Sequence, residues 1–329
     1  MAIKGKVLVA MSGGVDSSVA AALLKKQGYD VIGVTMRLWF DPGAEDESEK
    51  NARGCCPREL INDALRVANK LEIPHYVLNL KEDFQKYVVD YFVKGYLEGR
   101  TPNPCIACNC YVKFDILLKK ALALGADYIA TGHYARSGYD REKKRYYLKK
   151  SCDLVKDQTY MLYNLTQKQL SHTLFPLGDF RKEEIRRLAK EFGLSVADKP
   201  DSQEICFIPG NDYRSFLRRM APDSARPGPI ADRSGRRLGT HKGVSFYTVG
   251  QRKGLGLATG TPMYVTDIIP ERNTVVVGPR SETYSIGLIA GDLNLIAFDK
   301  LPSFLEARVK IRYNAPEIPA QIRPFGAGE

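Results

Sequence analysis

The run Met11-Ser12-Gly13-Gly14-Val15-Asp16-Ser17-Ser18 constrains this chain more than any other stretch. The short, largely apolar run Lys6-Val7-Leu8-Val9-Ala10 before it reads as a buried parallel strand. The residues from Val19 to Gln27 after it read as a helix stopped by Gly28. A strand, a tight glycine turn and a helix start together make an anion hole. Glycine lets the backbone approach an oxyanion, and the unpaired N–H groups and the helix dipole face it. Ser12, Ser17 and Ser18 add hydroxyls. The loop lacks the Gly-Lys-Ser/Thr ending of a Walker loop and the Gly-x-Gly-x-x-Gly spacing of a dinucleotide fold, so neither cradle is expected.

At 329 residues the chain exceeds one ordinary core, and two or three domains are expected. Its 44% hydrophobic and 26% charged residues are a globular composition. No apolar run reaches the length of a membrane span and no signal peptide precedes the first strand, which makes a cytoplasmic protein without a membrane partner the expectation. The net charge of +11 suits a polyanionic partner. Seven cysteines, an odd number, argue for reactive or metal-bound thiols over a disulfide framework.

Strand-like and helix-like stretches then alternate. Val31 to Leu38, His75 to Leu80 and Tyr128 to Thr131 read as strands; helices follow Arg58, precede Gly99 and begin at Asn109. The segment Gly99 to Cys105 reads as non-helical because of Pro102 and Pro104. This alternation predicts an α/β domain with a doubly wound parallel sheet, whose ligands bind at the carboxyl ends of the strands. The glycine loop, Met36 and Gly132-His133 all fall there. Lys156 to Leu170 reads as helical, Arg181 to Phe192 as a basic amphipathic helix, and Asp198 to Phe207 as a polar loop. After the Pro/Gly-rich stretch 221–229, short strands such as 243–250, 263–269 and 274–278 predict a small β-rich domain, with another set beginning near Glu306.

Cys105-Ile106-Ala107-Cys108 precedes the helix expected from Asn109, where the dipole would lower the Cys108 pKa. Three readings stay open: a buried structural pair, half of a zinc site, or reactive thiols acting with Cys206. In the last, Cys105, Cys108 and Cys206 could hold a 4Fe–4S cluster with one open iron, or act as nucleophile and sulfur carrier. Cys55-Cys56 reads as structural or accessory, Cys110 and Cys152 as incidental, Trp39 as core or lid, and His75 and His172 as structural.

Met11 to Ser17 resembles the Ser-Gly-Gly-x-Asp-Ser loop of ATP pyrophosphatases. With Thr101-Pro102-Asn103-Pro104 through Asn109, Ala130 to Arg136, Lys156-Asp157-Gln158, Asp201-Ser202 through Ile208, Gly250-Gln251-Arg252-Lys253-Gly254-Leu255-Gly256 and Ile311-Arg312-Tyr313, the chain resembles the tRNA-specific 2-thiouridylases along nearly its whole length. The resemblance implies a PP-loop fold of the adenine nucleotide alpha hydrolase type in residues 1–212, with a tRNA-binding helical insertion at about 137–180. It implies a β-rich tRNA-binding domain at 213–280 and, at 281–329, the start of a β-barrel that is truncated relative to the family.

It implies that Ala10, Met11, Ser12, Gly13, Gly14, Val15, Asp16, Ser17, Met36 and Gly132 hold ATP with Mg²⁺. Cys108 takes the nucleophile position and Cys206 the persulfide position, and the two can form a disulfide after sulfur delivery. Asn103, Pro104 and Cys105 lie where the base is read; His133, Lys156, Asp157, Gln158, Arg312 and Tyr313 match tRNA contacts. Cys105 departs from the Asp that many members carry there. The implied reaction adenylates C2 of the wobble uridine and replaces its oxygen with sulfur from a cysteine desulfurase, a relay protein or sulfide. The basic helices would hold the RNA backbone. Another PP-loop ligase or thiolase, or a non-catalytic iron–sulfur RNA-binding protein, are the rival readings.

Overall fold

A computed structural model of the chain describes residues 3–39, 58–201 and 205–326. Cys55, Cys56 and Ser202 lie outside the described residues. The first strands and helices are β1 (Lys6–Ala10), α1 (Val15–Lys26), β2 (Asp30–Arg37), α2 (Arg58–Lys70) and β3 (His75–Asn79). Further on come α3 (Leu117–Ala123), β4 (Tyr128–Ala130), a hairpin of β5 (Ala135–Asp140) and β6 (Arg145–Lys150), α4 (Gln167–Ser171), β7 (Thr173–Leu174) and α5 (Lys182–Glu191). The five-stranded sheet runs β3-β2-β1-β4-β7 and is parallel throughout, as the alternating pattern predicts.

The central strand shows why. Successive side chains of β1 point to opposite faces. Val7 and Val9 join a core with α1, α2 and α5 through Val19, Val67 and Ile185. Leu8 and Ala10 join the other core through Phe114, Leu117, Ile129 and Leu170. A strand covered on both sides is apolar wherever it is buried, and this one is apolar from Val7 to Ala10, with the half-buried Lys6 at its start. The chain leaves β1 in one direction for β2 and reaches β4 on its other side, so the switch point lies between β1 and β4.

The chain divides into two compact units, residues 1–85 with 105–207 and 291–329, and residues 86–104 with 208–290. The grouping therefore differs from three consecutive domains. Residues 291–329 join the first unit because their backbone carbonyls and side chains are bonded there. Arg145 donates to the carbonyls of Leu295 and Ile296 at 3.1 and 3.2 Å, and Asn294 Nδ2 donates to those of Tyr163 and Leu165 at 2.6 and 2.9 Å. This segment ends in an antiparallel pair, β12 (Leu305–Val309) and β13 (Ile318–Ile322). In the second unit a four-stranded sheet is ordered β10 (Tyr264–Ile269), β11 (Thr274–Gly278), β8 (Gly228–Ala231), β9 (Arg237–His241). There Tyr96 stacks on Tyr213 at 5.1 Å and Phe92 meets Phe216 edge-on at 6.1 Å.

Three local expectations are corrected. Residues 104–123 form one continuous helical run, Pro104–Ala107, the π-helical Cys108–Ile116 and then α3. Pro104 begins it, a position where its missing N–H is not needed. The expected helical insertion at 137–180 holds most of the β5–β6 hairpin and, of α-helix, only the short α4, which Thr166 and Gln169 cap reciprocally. The expected strand 243–250 is a tight turn over Val244–Phe246, because Gly243 (φ +146°) lies where a Cβ would stand 2.3 Å from the Ser224 carbonyl oxygen. Among the described residues no helix is long and apolar enough to cross a membrane.

Leu8 on β1 is 2% exposed and Leu124 is 65% exposed. Leu8→Ala is expected to cost about 2–5 kcal/mol and to lower the thermal midpoint visibly, while Leu124→Ala stays within about 0.5 kcal/mol of wild type in the same melts.

Candidate active site

The glycine loop sits at the carboxyl end of β1, where Met11 is tied to β2: its N–H donates to the Val34 carbonyl at 2.7 Å and its carbonyl accepts from Thr35 Oγ1 at 2.8 Å. His75 Nε2 lies 2.9 Å from the same hydroxyl, so His75 is structural, as expected. Inside the loop Ser12 N–H donates to Ser17 Oγ at 3.1 Å, and Ser18 Oγ donates to the Gly14 carbonyl at 2.8 Å. Gly13 has φ +74°, and a Cβ there would stand 2.2 Å from the Leu60 carbonyl oxygen. The first N–H groups of α1 have no partner within the helix, by helix geometry. Gly132 closes the loop from β4: a Cβ on it would lie 2.7 Å from the Ser17 nitrogen. The two loops flanking the switch point therefore touch, which accounts for glycine at both. Met36 is half-buried on β2, packed on the core next to the loop.

Behind the loop lies an ion network that the sequence reading missed. Asp16 accepts at 2.8 Å on both carboxylate oxygens from Lys182 Nζ and at 2.7 Å from the Tyr134 hydroxyl. Lys182, only 11% exposed, also lies 2.8 Å from Asp201 Oδ1. Asp201 further binds Lys156 at 2.8 Å and Arg186 at 3.0 Å. Arg186 donates to the carbonyls of Ala197 and Lys199, at 3.0 and 3.1 Å, and so fixes the backbone that carries Lys199. Lys199 Nζ reaches the Gly13 carbonyl at 3.2 Å and pairs with Asp63. Burial acts to raise the Asp201 carboxyl, but Lys156 and Lys182 outweigh it and hold the pKa down to about 2. Burial and the Asp16 carboxylate push the Tyr134 phenol far up, so it stays a donor. The helix α5, expected to present its cations to RNA, turns Lys182 and Arg186 inward and leaves Arg187 and Lys190 exposed.

The cysteines lie on two segments of the same unit. Cys108 is buried, and Cys105 and Cys206 are exposed; all three are thiols. Cys108 is inside the helical run and not ahead of a helix start, so the expected dipole effect on its thiol does not apply. Cys105 is exposed at its edge, yet burial pushes its thiol up, and nearby Cys206 adds to this while Lys113 opposes it. Asn109, 3% exposed, anchors the run by donating to the Met161 carbonyl at 2.9 Å. Among the described residues no three His, Cys, Asp or Glu side chains gather as a metal-binding group. Cys105, Cys108 and Cys206 thus do not present the ligand set of a 4Fe–4S cluster in this structure.

The family model described as a tRNA methyl transferase HUP domain matches residues 5–210, and that of a tRNA methyl transferase PRC-barrel domain matches 214–279. A tRNA-specific 2-thiouridylase MnmA of Carboxydothermus hydrogenoformans is 58% identical over 98% of this chain and 87% of its own length. That of Natranaerobius thermophilus is 53% identical over 99% of this chain and 89% of its own. The chain belongs to the tRNA-specific 2-thiouridylase family.

Within a 2-thiouridylase, the positions implied for tRNA contact fall into two kinds. Asp157 and Gln158 bond inward: Asp157 accepts from Ser151 N–H and Thr159, and Gln158 accepts from Tyr134 N–H at 2.9 Å and so holds the loop after Gly132. Lys156 is committed to Asp201, which raises its pKa. His133 is half-buried and bonded to Thr131 at 2.8 Å; burial, helped by Lys113, holds its pKa well down, so the imidazole is neutral. The other kind lies outward. Arg312 is exposed, and Tyr313 packs 6.0 Å from Tyr160 with the Lys310 ammonium over both rings. In the second unit Asn103 is half-buried and Pro104 buried. Asp63, Tyr134, Lys182, Arg186 and Lys199 were not singled out beforehand. Lys182 and Arg186 stand in a charged amphipathic helix and Lys199 in Asp-Lys-Pro-Asp, and neither pattern names a partner.

The folded pKa of Asp201, about 2, lies below its ordinary 3.8. Its ion pairs therefore add stability above about pH 4, and this contribution disappears as the pH falls through about 2. Asp201→Asn is expected to melt below wild type at pH 7, with the two midpoints converging on acidification; a gap independent of pH contradicts the assignment.

Proposed function

We propose that this tRNA 2-thiouridylase adenylates C2 of the wobble uridine at the Met11–Ser17 loop and delivers sulfur through Cys206 and Cys108. The match along 98–99% of the chain to 2-thiouridylases carries the reading, because the loop alone is common to other ATP pyrophosphatases. The enzyme is an ATP-dependent sulfurtransferase acting on tRNA.

The C2 carbonyl oxygen is a poor leaving group. It attacks the α-phosphate of ATP, the α–β bridging bond breaks, and pyrophosphate leaves. The loop N–H groups and the start of α1 stabilise the charge that develops on the phosphates. Mg²⁺ enters with ATP as part of the substrate, since the loop carboxylate Asp16 is already bonded to Lys182 and Tyr134. The terminal sulfur of a Cys206 persulfide then attacks C2 and AMP departs. The Cys108 thiolate attacks Cys206 Sγ, forming a Cys108–Cys206 disulfide and releasing 2-thiouridine. An external thiol reduces that disulfide for the next turnover. A desulfurase or a relay protein supplies the persulfide sulfur; free sulfide would instead attack C2 itself and leave both cysteines reduced.

The base must leave the anticodon stack to reach the adenylate. The Lys310, Arg312 and Tyr313 surface, with a cation over aromatic rings, suits RNA backbone and base contact. The net charge of +11 points the same way.

The experiment is mass spectrometry of tRNA nucleosides after incubation with ATP and a sulfur-loaded desulfurase. Cys108→Ala and Cys206→Ala are expected to lose 2-thiouridine by about a thousandfold or more, the scale on which removing a nucleophile acts. Cys110→Ala should remain near wild type. Equal product from all the variants would sink the site assignment.

A further inference from the structure

The loop at Met11–Ser18 carries no lysine, although a cradle for a triphosphate gains from a cation aimed at its outer phosphates. The fold places two there. Lys182 Nζ is 2.8 Å from the Asp16 carboxylate and Lys199 Nζ is 3.2 Å from the Gly13 carbonyl oxygen, one lysine on each side of the turn. We propose that Lys182 and Lys199 are the phosphate-binding cations of this loop, closing on the β- and γ-phosphates of ATP and on the pyrophosphate that forms from them. The inference rests on the reading that the loop binds ATP and adds to it the residues that grip the outer phosphates.

Three observations carry it. First, both ammonium groups are positioned at the loop by independent supports. Lys182 is set between Asp16 and Asp201 with 11% of its side chain exposed, and Lys199 is carried on a backbone whose carbonyls at Ala197 and Lys199 both accept from one Arg186 nitrogen. Side chains fixed in this way lose little further freedom when a ligand arrives. Second, the cluster carries an excess of positive charge. Arg66, Lys156, Lys182, Arg186 and Lys199 face the carboxylates of Asp16, Asp63, Asp153 and Asp201. An incoming polyphosphate completes the neutralisation. Third, Lys182 is a shared cation. Its contact with Asp201 can persist while phosphate oxygens replace part of its contact with Asp16, whose carboxylate still accepts from the Tyr134 hydroxyl at 2.7 Å. The exchange breaks no covalent bond and leaves neither carboxylate without a donor. Lys156 on Asp201 Oδ2 and Arg186 on the Oδ1 that Lys182 also contacts keep that anchor in place when Lys182 turns toward phosphate. They are positioning residues in this scheme.

The test compares ligands that share the nucleoside and differ in the outer phosphates. Equilibrium binding of MgATP, of inorganic pyrophosphate and of AMP is measured on the full chain by calorimetry. Lys182→Met and Lys199→Met are each expected to weaken MgATP and pyrophosphate by about tenfold or more, the effect of losing one charge-assisted contact, and to leave AMP within about twofold. Loss of all three ligands together, with a lowered melting midpoint, would show that the lysines only hold the fold, and would overturn the proposal. Unchanged ATP and pyrophosphate binding would also overturn it. Removing Lys182 takes away the ion pair of Asp16 and one of the three cations on Asp201, so Lys182→Arg supplies the second variant. It keeps the charge and should fold, but places a fork in a slot shaped for an ammonium, and it should weaken pyrophosphate several-fold with AMP unchanged. The function reading fails separately: wild-type protein that binds MgATP with this selectivity yet makes no 2-thiouridine would refute the reaction and leave the phosphate clamp standing.

Discussion

One ammonium group, that of Lys182, joins parts of this molecule that are far apart in sequence and close in chemistry. It reaches back 166 residues to Asp16 at the start of α1 and forward to Asp201. The geometry dictates how costly any break would be. Two carboxylates brought within reach of one cation, in a setting mostly closed to water, repel each other as soon as that cation is withdrawn. Arg186 and Lys156 spread the load on Asp201, and Tyr134 does so on Asp16, so each anion has more than one donor. The same contacts stitch α5 to α1 across a core in which Ile185 and Ala189 meet Val19 and Ala20. Packing and electrostatics therefore fix one register between these helices, and the loop geometry follows from that register.

The parallel sheet makes this arrangement available. β1 and β4 are neighbours with their connections running to opposite sides, and the gap at their carboxyl ends holds two glycine turns in contact. Neither turn tolerates a side chain, since Gly13 faces the Leu60 carbonyl and Gly132 faces the Ser17 nitrogen. Small residues keep the crevice open for a nucleotide, while the bulk needed to stabilise it sits one layer down in Val7, Leu8, Val9 and Ile129. Function and stability are thus separated along each strand, with the core below and the chemistry at the tip.

What the sequence reveals about this fold follows from how local each determinant is. The loop from Met11 to Ser18 is a local structure, and a strand, a glycine pair and a helix start in sequence suffice to place it. The β1 and β2 strands are legible because burial on both faces demands continuous apolar runs. The helical run at 104–123 is not, since Pro104 reads as a helix breaker until its place at the first helical position is known. That error moved the expected helix start to Asn109 and attached a dipole effect to Cys108 that the structure removes. Lys182 and Lys199 were illegible for the opposite reason. Their side chains look like any solvated cation in a basic segment, and only long-range contacts, spanning 166 and 186 residues to the loop, reveal their use. The grouping of 291–329 with the first unit is likewise not legible, because hydrogen bonds from Arg145 and Asn294, and not composition, decide it.

The contrast in exposure between the two cysteines matches the division of labour proposed for them. A thiol that receives sulfur from a donor protein must be reachable by a second macromolecule, and Cys206 is exposed. A thiol that only resolves an intermediate formed on its partner gains from shelter, because a buried thiol is not oxidised or capped by solutes between turnovers, and Cys108 is buried. Burial has a cost, since it disfavours the thiolate that must attack. The helical run around Cys108 does not offset that cost with a dipole, because the thiol lies within it. Lys113 stands five residues further along the same π-helical turn, and its charge already opposes the rise at Cys105.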